Sequence, residues 1–394
     1  MKNKRFALLV TGALAALVLV AAGCEITLTL RPQVNPSVQV INVANAQPID
    51  GATVRLTLTS SATAGEYKYD ATTHTATYNS TQKRYNFSNV EFGTYELTAT
   101  RSGYVFVRQI VEVSGSDQVL PQIGGFTYDP DPDGDDPYTL RFIVFWDESF
   151  ADVDAHFTFP DYGAAETGQA PLMDTWFETQ DLVPAGFFPR DENARHEVYW
   201  DNRKAGLLLG TDAVVLDVDN VGAPSQIKGG PETIRVLGVP DDLWGSFDDA
   251  PASLGVTAGD NSTLPVGDYV WLGTGEYYLN AWSSQFPDDL AGSAAEEDAF
   301  LATKDGTGKV ANPVVYAFFA DEQIGRFSIP TYTTVKTASM VRVNFMRRIV
   351  DGGDNEEWFQ VLSNVRQTSP NRILSTGEAE AQFEVVGSFG GRVR

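Results

Sequence analysis

One cysteine, three histidines and four methionines are all that 394 residues contain. The lone Cys24 excludes intrachain disulfides and cysteine-rich zinc sites. The histidines, His74, His156 and His196, lie in separate segments, and none belongs to a His-Glu-x-x-His zinc motif. No Gly-x-Ser-x-Gly elbow offers a serine nucleophile. Gly306-Thr307-Gly308-Lys309 lacks the upstream glycine and the following Ser or Thr of a phosphate loop. Positive charge is scarce too. Against 52 Asp and Glu stand 28 Lys and Arg, a formal charge of −24. A surface of that sign repels phosphate backbones and excludes nucleic acid as a partner. Stability must come from packed cores. A hydrophobic content of 43% and an aromatic content of 11% supply them and argue against wholesale disorder. The length allows two or three domains of about 150 residues each.

What is present begins at the N-terminus. Lys2, Lys4 and Arg5 precede an apolar run from Phe6, which ends in Val20-Ala21-Ala22-Gly23-Cys24. A charged start, an apolar middle and a small-residue exit make a secretory signal over residues 1–23. No basic stop-transfer cluster follows it. The cysteine directly after Ala-Ala-Gly resembles the lipobox of bacterial lipoproteins, although Ala21 stands where that family more often has Leu. The resemblance implies cleavage before Cys24 and acylation, palmitate included, of its sulfur and new amino group. Two or three acyl chains hold a protein stably where one holds it only marginally. The expectation is a membrane partner reached through lipid, in the cell envelope. Glu25, rather than Asp, follows the cysteine, which in Gram-negative lipoproteins favours the outer membrane. Loss of three cationic residues with the signal leaves a side-chain charge of −27.

Residues 24–36 read as a lipid-anchored tether, with Pro32 to Pro36 as extended spacer. From residue 37 to 120 the pattern is strand, turn, strand. Val54, Leu56 and Leu58 share one face, after a turn at Gln47 to Gly51. Pro48 to Val54, Tyr85 to Val90, Gly93 to Ala99 and Ser102-Gly103-Tyr104 resemble the carboxypeptidase-regulatory or collagen-adhesin B-type repeat. That resemblance implies a prealbumin-like, Ig-like β-sandwich used as structure or spacer. Some members carry a Lys–Asn isopeptide bond, but no matching lysine stands in the first strand here. Residues 121–137 read as an acidic linker, since aspartates alternating with prolines at Asp129 to Asp136 resist packing. Asp129, Asp131, Asp133 and Gly134 mimic the opening of an EF-hand loop, but Leu140 stands where the closing glutamate belongs.

Residues 138–394 read as a second, larger β unit. Leu140, Phe142, Val144 and Trp146 share a face. Asp152 to Phe159 alternates strictly, with Val153, Ala155, Phe157 and Phe159 on one face and Asp152, Asp154 and His156 on the other. Leu216-Asp217-Val218-Asp219, Gly230-Pro231-Glu232 and Gly275-Glu276-Tyr277 follow. Trp…Asp-x-Asp-x-His, Leu-Asp-x-Asp, Gly-Pro-Glu and Gly-x-Tyr, in that order, resemble a bacterial envelope domain of unknown function. The resemblance covers Tyr138 to about Val365 and implies architecture only. Further strands are expected at Val314 to Phe319, Gly325 to Ile329, Val341 to Arg348, Trp358 to Val365 and within Glu378 to Phe389. A helix is expected where Ser293-Ala294-Ala295-Glu296 makes a capping box ahead of Ala299, Phe300 and Leu301.

Asp152, Asp154, Asp217, Asp219 and Glu232, with His156, form the best constellation. Carboxylates at period two on neighbouring strands suit calcium, a hard cation that takes oxygen ligands. The same residues also suit a hydrogen-bonded network that fixes strand register, with His156 as its hub. No catalytic residue is marked. The tryptophans Trp176, Trp200, Trp244, Trp271 and Trp282 suit core positions, or sugar stacking in one exposed groove. The reading is therefore all-β, with two β-sandwich domains in tandem after a lipoprotein signal peptide. Its function is binding or scaffolding at the cell surface or in the periplasm, with a polysaccharide or protein ligand and calcium as the one candidate cofactor. The alternative is a glycan-active hydrolase or a carbohydrate-binding accessory protein.

Overall fold

The computed structural model describes residues 33–59, 72–128, 139–147, 150, 152–158, 197–198, 204–205, 214–220, 229–237, 255–258, 263–282, 299–303, 308–329, 337–350, 356–364 and 383–393. Cys24, the Asp/Pro stretch at 129–136 and His196 lie outside them. The described residues form strands and no helix, so the chain is all-β.

The first module stacks two four-stranded sheets. One runs Gln109–Val113, Gly93–Thr100, Thr53–Leu58, Thr73–Thr75. The other runs Tyr104–Phe106, Ile123–Thr127, Val40–Asn42, Gln47–Pro48. Val54 and Leu56 alternate with exposed neighbours and bury against Tyr85, Phe87, Tyr95 and Leu97. The period-two pattern thus places one face inward, as expected for a half-buried sheet. Tyr85 is buried, and its hydroxyl donates to Ile49 O and accepts from Ala52 N, both at 3.0 Å. It holds the turn at Pro48 to Gly51 onto the core.

Two boundaries differ from expectation. Gln33–Val34, inside the expected tether, pairs with Val90–Glu91, and Val34 is buried in the first core. Ile123–Thr127, inside the expected linker, lies parallel to Val40–Asn42 and antiparallel to Tyr104–Phe106. Its glycines answer close contacts. A Cβ on Gly125 would sit 2.4 Å from the Phe106 ring, and one on Gly124 2.6 Å from Val43 and 2.9 Å from Phe145.

The second module also stacks two sheets. A six-stranded sheet runs Lys204–Ala205, Val214–Val218, Glu232–Val236, Leu140–Phe145, Val314–Phe319, Glu322–Ser328. A seven-stranded sheet runs Glu197–Val198, Asp152–Thr158, Gly267–Trp282, Thr337–Ile349, Glu356–Asn364, Phe383–Val393, with Gly255–Ala258 also on Gly267–Trp282. Leu140, Phe142, Val144 and Trp146 meet Val153, Ala155, Phe157, Tyr277 and Val341 in the interior. The expected helix does not extend to Ala299 and Phe300. These pair in parallel with Lys309–Val310 as a short strand, and Leu301 enters the core.

Every residue of Leu140–Phe145 is buried, because both faces of that strand are covered. Its outer side chains, Ile143 and Phe145, pack with Tyr316 and Phe318 against Val43, Val107 and Phe126 of the first module. The Arg141 guanidinium lies 4.0 Å over the Phe126 ring, and Phe318 meets that ring edge-on at 5.2 Å. Arg108 N donates to Gln323 Oε1 at 2.9 Å. The two modules thus share an apolar seam. A cleft of about 390 Å³ beside it is walled by Leu120, Phe145, Trp146, Asp147, Asn312 and Tyr316, among others.

Candidate metal centre

The strand Asp152–Thr158 pairs with Gly267–Trp282 along its whole length on one side. On its other side, among the described residues, only Phe157 and Thr158 are paired, with Glu197–Val198. At Asp152 to His156 the facing sheet supplies an acceptor instead. Glu232 shares the inward face of its strand with Ile234 and Val236, and its Oε2 accepts from Ala155 N at 2.7 Å. A carboxylate from one sheet therefore caps the edge of the other.

This capping brings three acids together. Ligand oxygens of Asp152, Asp154 and Glu232 all lie within 4.8 Å of one another. Asp152 and Asp154 are each 4% exposed and Glu232 1%. Burial raises all three carboxyls, since a charge loses its hydration there. Asp152 stands well above the usual range through burial and then the charges of Asp154 and Asp219, partly offset by the Val153 N–H. Asp154 is pushed up to about 7 by burial, with His156 opposing and Asp219 adding to the rise. Glu232 is raised well above its ordinary value by burial and by Asp154, Asp152 and Asp219, with the Ala155 N–H opposing. Among the described residues, neither lysine nor arginine figures among the charges acting on them.

Asp217 does not join the group. Arg235 Nε donates to its Oδ1 and Oδ2 at 2.9 and 2.7 Å. The reason is a bulge. Leu216 opposes Ile234 but Val218 opposes Thr233, so Asp217 is the extra residue. Without it Asp217 and Asp219 would share a face. With it Asp217 stays on the Arg235 face and Asp219 turns to the side of Glu232, where its charge reaches all three acids. His156 is buried, and its ring stacks on that of Tyr278 with centroids 4.6 Å apart.

Three neighbours had no site role in the sequence reading, although Tyr277 and Gly230 stand in its Gly-x-Tyr and Gly-Pro-Glu patterns. Tyr277 is wholly buried, and burial and the Glu232 charge raise its phenol well above the ordinary value. Asn220, also buried, donates from Nδ2 to Gly230 O at 2.7 Å and fixes the turn before Glu232. Gly230 has φ +100°, and a Cβ there would meet Val144 O at 2.8 Å. Only glycine fits that approach. The Gly-Pro-Glu pattern was the visible trace of this turn. Trp146 is buried at the start of the same region, with Trp146 N donating to Gly229 O at 3.0 Å. Of the tryptophans singled out above, Trp176, Trp200 and Trp244 lie outside the described residues.

An all-carboxylate set suits a hard cation rather than a soft metal. The same acids are ill placed for turnover, since each is almost fully covered, and other residues line the cleft by the seam.

No family model and no curated protein sequence matches this chain. Among solved structures, the full-length major pilin SpaD from Corynebacterium diphtheriae is similar over 92% of this chain and 80% of that one, at 10% identity and a TM-score of 0.21. A likeness of that size carries no argument about fold or function. The two-module β-sandwich reading rests on the strand pairing itself.

Proposed function

We propose that this chain is a lipid-anchored protein of the cell envelope whose two sandwiches act as one body for binding or scaffolding, without turnover. The observation that carries the proposal is the apolar seam of Val43, Val107 and Phe126 against Ile143, Phe145, Tyr316 and Phe318. A spacer joined flexibly to a working domain has no need of such a seam, whereas a stand-off that sets the orientation of that domain does. The lipobox-like residues up to Cys24 supply the attachment. Mass spectrometry of the N-terminal peptide of native protein tests the anchor. The expected product starts at Cys24 and carries acyl chains; an unmodified Cys24, or an intact Met1, overturns it.

The cleft beside the seam favours one version of the binding role, a carbohydrate ligand. Phe145, Trp146 and Tyr316, each mostly buried in the seam or core, line the cleft beside Asn312 and Asp147, the mixture of apolar and polar groups that ligand sites use. Binding to a panel of polysaccharides that Asp147→Ala weakens would support this version. Equal binding by both proteins would remove it.

A further inference from the structure

We infer that Asp152, Asp154 and Glu232 form a buried calcium site that ties the two sheets of the second module together. Two carboxylates come from the seven-stranded sheet and one from the six-stranded sheet. Their ligand oxygens are close enough for one ion to touch all three. This goes beyond the anchoring and scaffolding reading and does not depend on it.

The acids alone would not establish a site; the polar atoms around them do. Asp152 Oδ1 and Glu232 Oε1 are buried with no hydrogen-bond partner among the described residues. Tyr277 Oη, also buried and without a hydrogen-bond partner among them, lies near enough to Glu232 to feel its charge. Each such group carries a desolvation penalty of about 1–3 kcal/mol, more when charged. Folded proteins leave few buried polar atoms unsatisfied. Here the unpartnered oxygens belong to two carboxylates of one close group, in the company of like charges. A divalent cation answers both needs at once, because it supplies the opposite charge and takes up the spare lone pairs.

The ion's identity follows from the donors. Oxygen-only coordination selects calcium or magnesium over zinc or copper. Magnesium dehydrates reluctantly and usually keeps several waters. Calcium takes about six to eight oxygens, and three carboxylates offer two each, with Asp219 beside them. Calcium also tolerates the irregular geometry of ligands drawn from separate strands. Affinity in the range of extracellular modules, Kd about 10⁻⁴–10⁻³ M, is the expectation.

The test uses the full-length chain in detergent, with isothermal calorimetry and thermal melting in calcium, magnesium or chelator. Calcium at a hundredfold excess over Kd is expected to raise the Tm by about 5 °C. Asp154→Asn and Glu232→Gln keep the shape and remove one charge. Each is expected to lose the binding heat and the calcium-dependent shift. In chelator each should melt no lower than the parent protein, because a buried like charge has gone. That last readout separates an ion site from a hydrogen-bonded network, where the same changes lower Tm. Asp217→Asn, on the Arg235 face, is expected to keep the calcium response. No heat and no shift in the parent protein at about 10 mM calcium would overturn the site. So would a response that survives both neutral variants, one lost with Asp217→Asn, or an equal response to magnesium. Failure here appears in calorimetry, whereas failure of the anchor appears in the mass of the N-terminal peptide.

Discussion

At the scale of single residues, two side chains isolate a physical term cleanly. Tyr85 is buried, and its hydroxyl serves Ile49 O and Ala52 N. Tyr85→Phe keeps the ring and strands both backbone groups. The expected loss is about 1–3 kcal/mol of first-module stability, read by denaturant unfolding. Glu356 offers a pH handle. Trp358 Nε1 and Arg348 Nη1 both donate to its Oε2, at 3.0 and 3.1 Å. The Trp358 hydrogen bond does most to hold its carboxyl below the ordinary value, and Arg348 adds to it. A depressed folded-state value means the contribution is complete above the unfolded value and disappears as pH falls through the folded one. Stability measured across the acid range should therefore fall less steeply in Glu356→Gln than in the parent protein. Parallel curves would show that the carboxylate contributes nothing.

At the scale of elements, Leu140–Phe145 shows what a hydrophobic pattern conveys and what it hides. Phe142 belongs to the interior of the second sandwich and stacks 4.9 Å from Tyr277. Ile143 faces the first module. Phe142→Ala is expected to cost about 3–5 kcal/mol in the second module through the cavity it leaves. Ile143→Ala should instead weaken coupling between modules, read as separate unfolding of the two in a denaturant titration. Much at this scale was legible. The alternation from Asp152 to Phe157 announced both its faces, because a strand has period two. The order Asp-x-Asp-x-His, Leu-Asp-x-Asp, Gly-Pro-Glu named the acids of the candidate site. What stayed hidden depends on other strands. Nothing local marks Asp217 as a bulge residue, and that one extra residue separates it from Asp219. Nothing local says that the acidic face of Asp152 and Asp154 is covered. Ile123–Thr127 escaped because the Asp/Pro run just after it set the bounds of the linker, and nothing local shows that Gly124 and Gly125 clear space for Phe145 and Phe106.

At the scale of the whole molecule, the seam decides behaviour. Gly124 stands where the first module touches Phe145 of the second. Gly124→Leu would drive a side chain between Val43 and Phe145, and overpacking of that kind typically costs about 1–3 kcal/mol. Calorimetry should then resolve two transitions where the parent protein shows one, with the second-module melt near its original temperature. A single transition shifted as a unit would show that the modules remain coupled by other contacts.

The first module also has a mechanical consequence. Its entering segment runs alongside its exiting one in the same direction. Ser37 N bonds Gln118 O at 2.9 Å, Leu120 N bonds Ser37 O at 2.8 Å, and Ile123 N bonds Gln39 O at 2.9 Å, before Val40–Asn42 pairs with Ile123–Thr127. Tension entering near Gln33 and leaving near Tyr128 therefore pulls these neighbours past each other lengthwise. All the rungs between them share that load together, instead of opening one after another like a zipper.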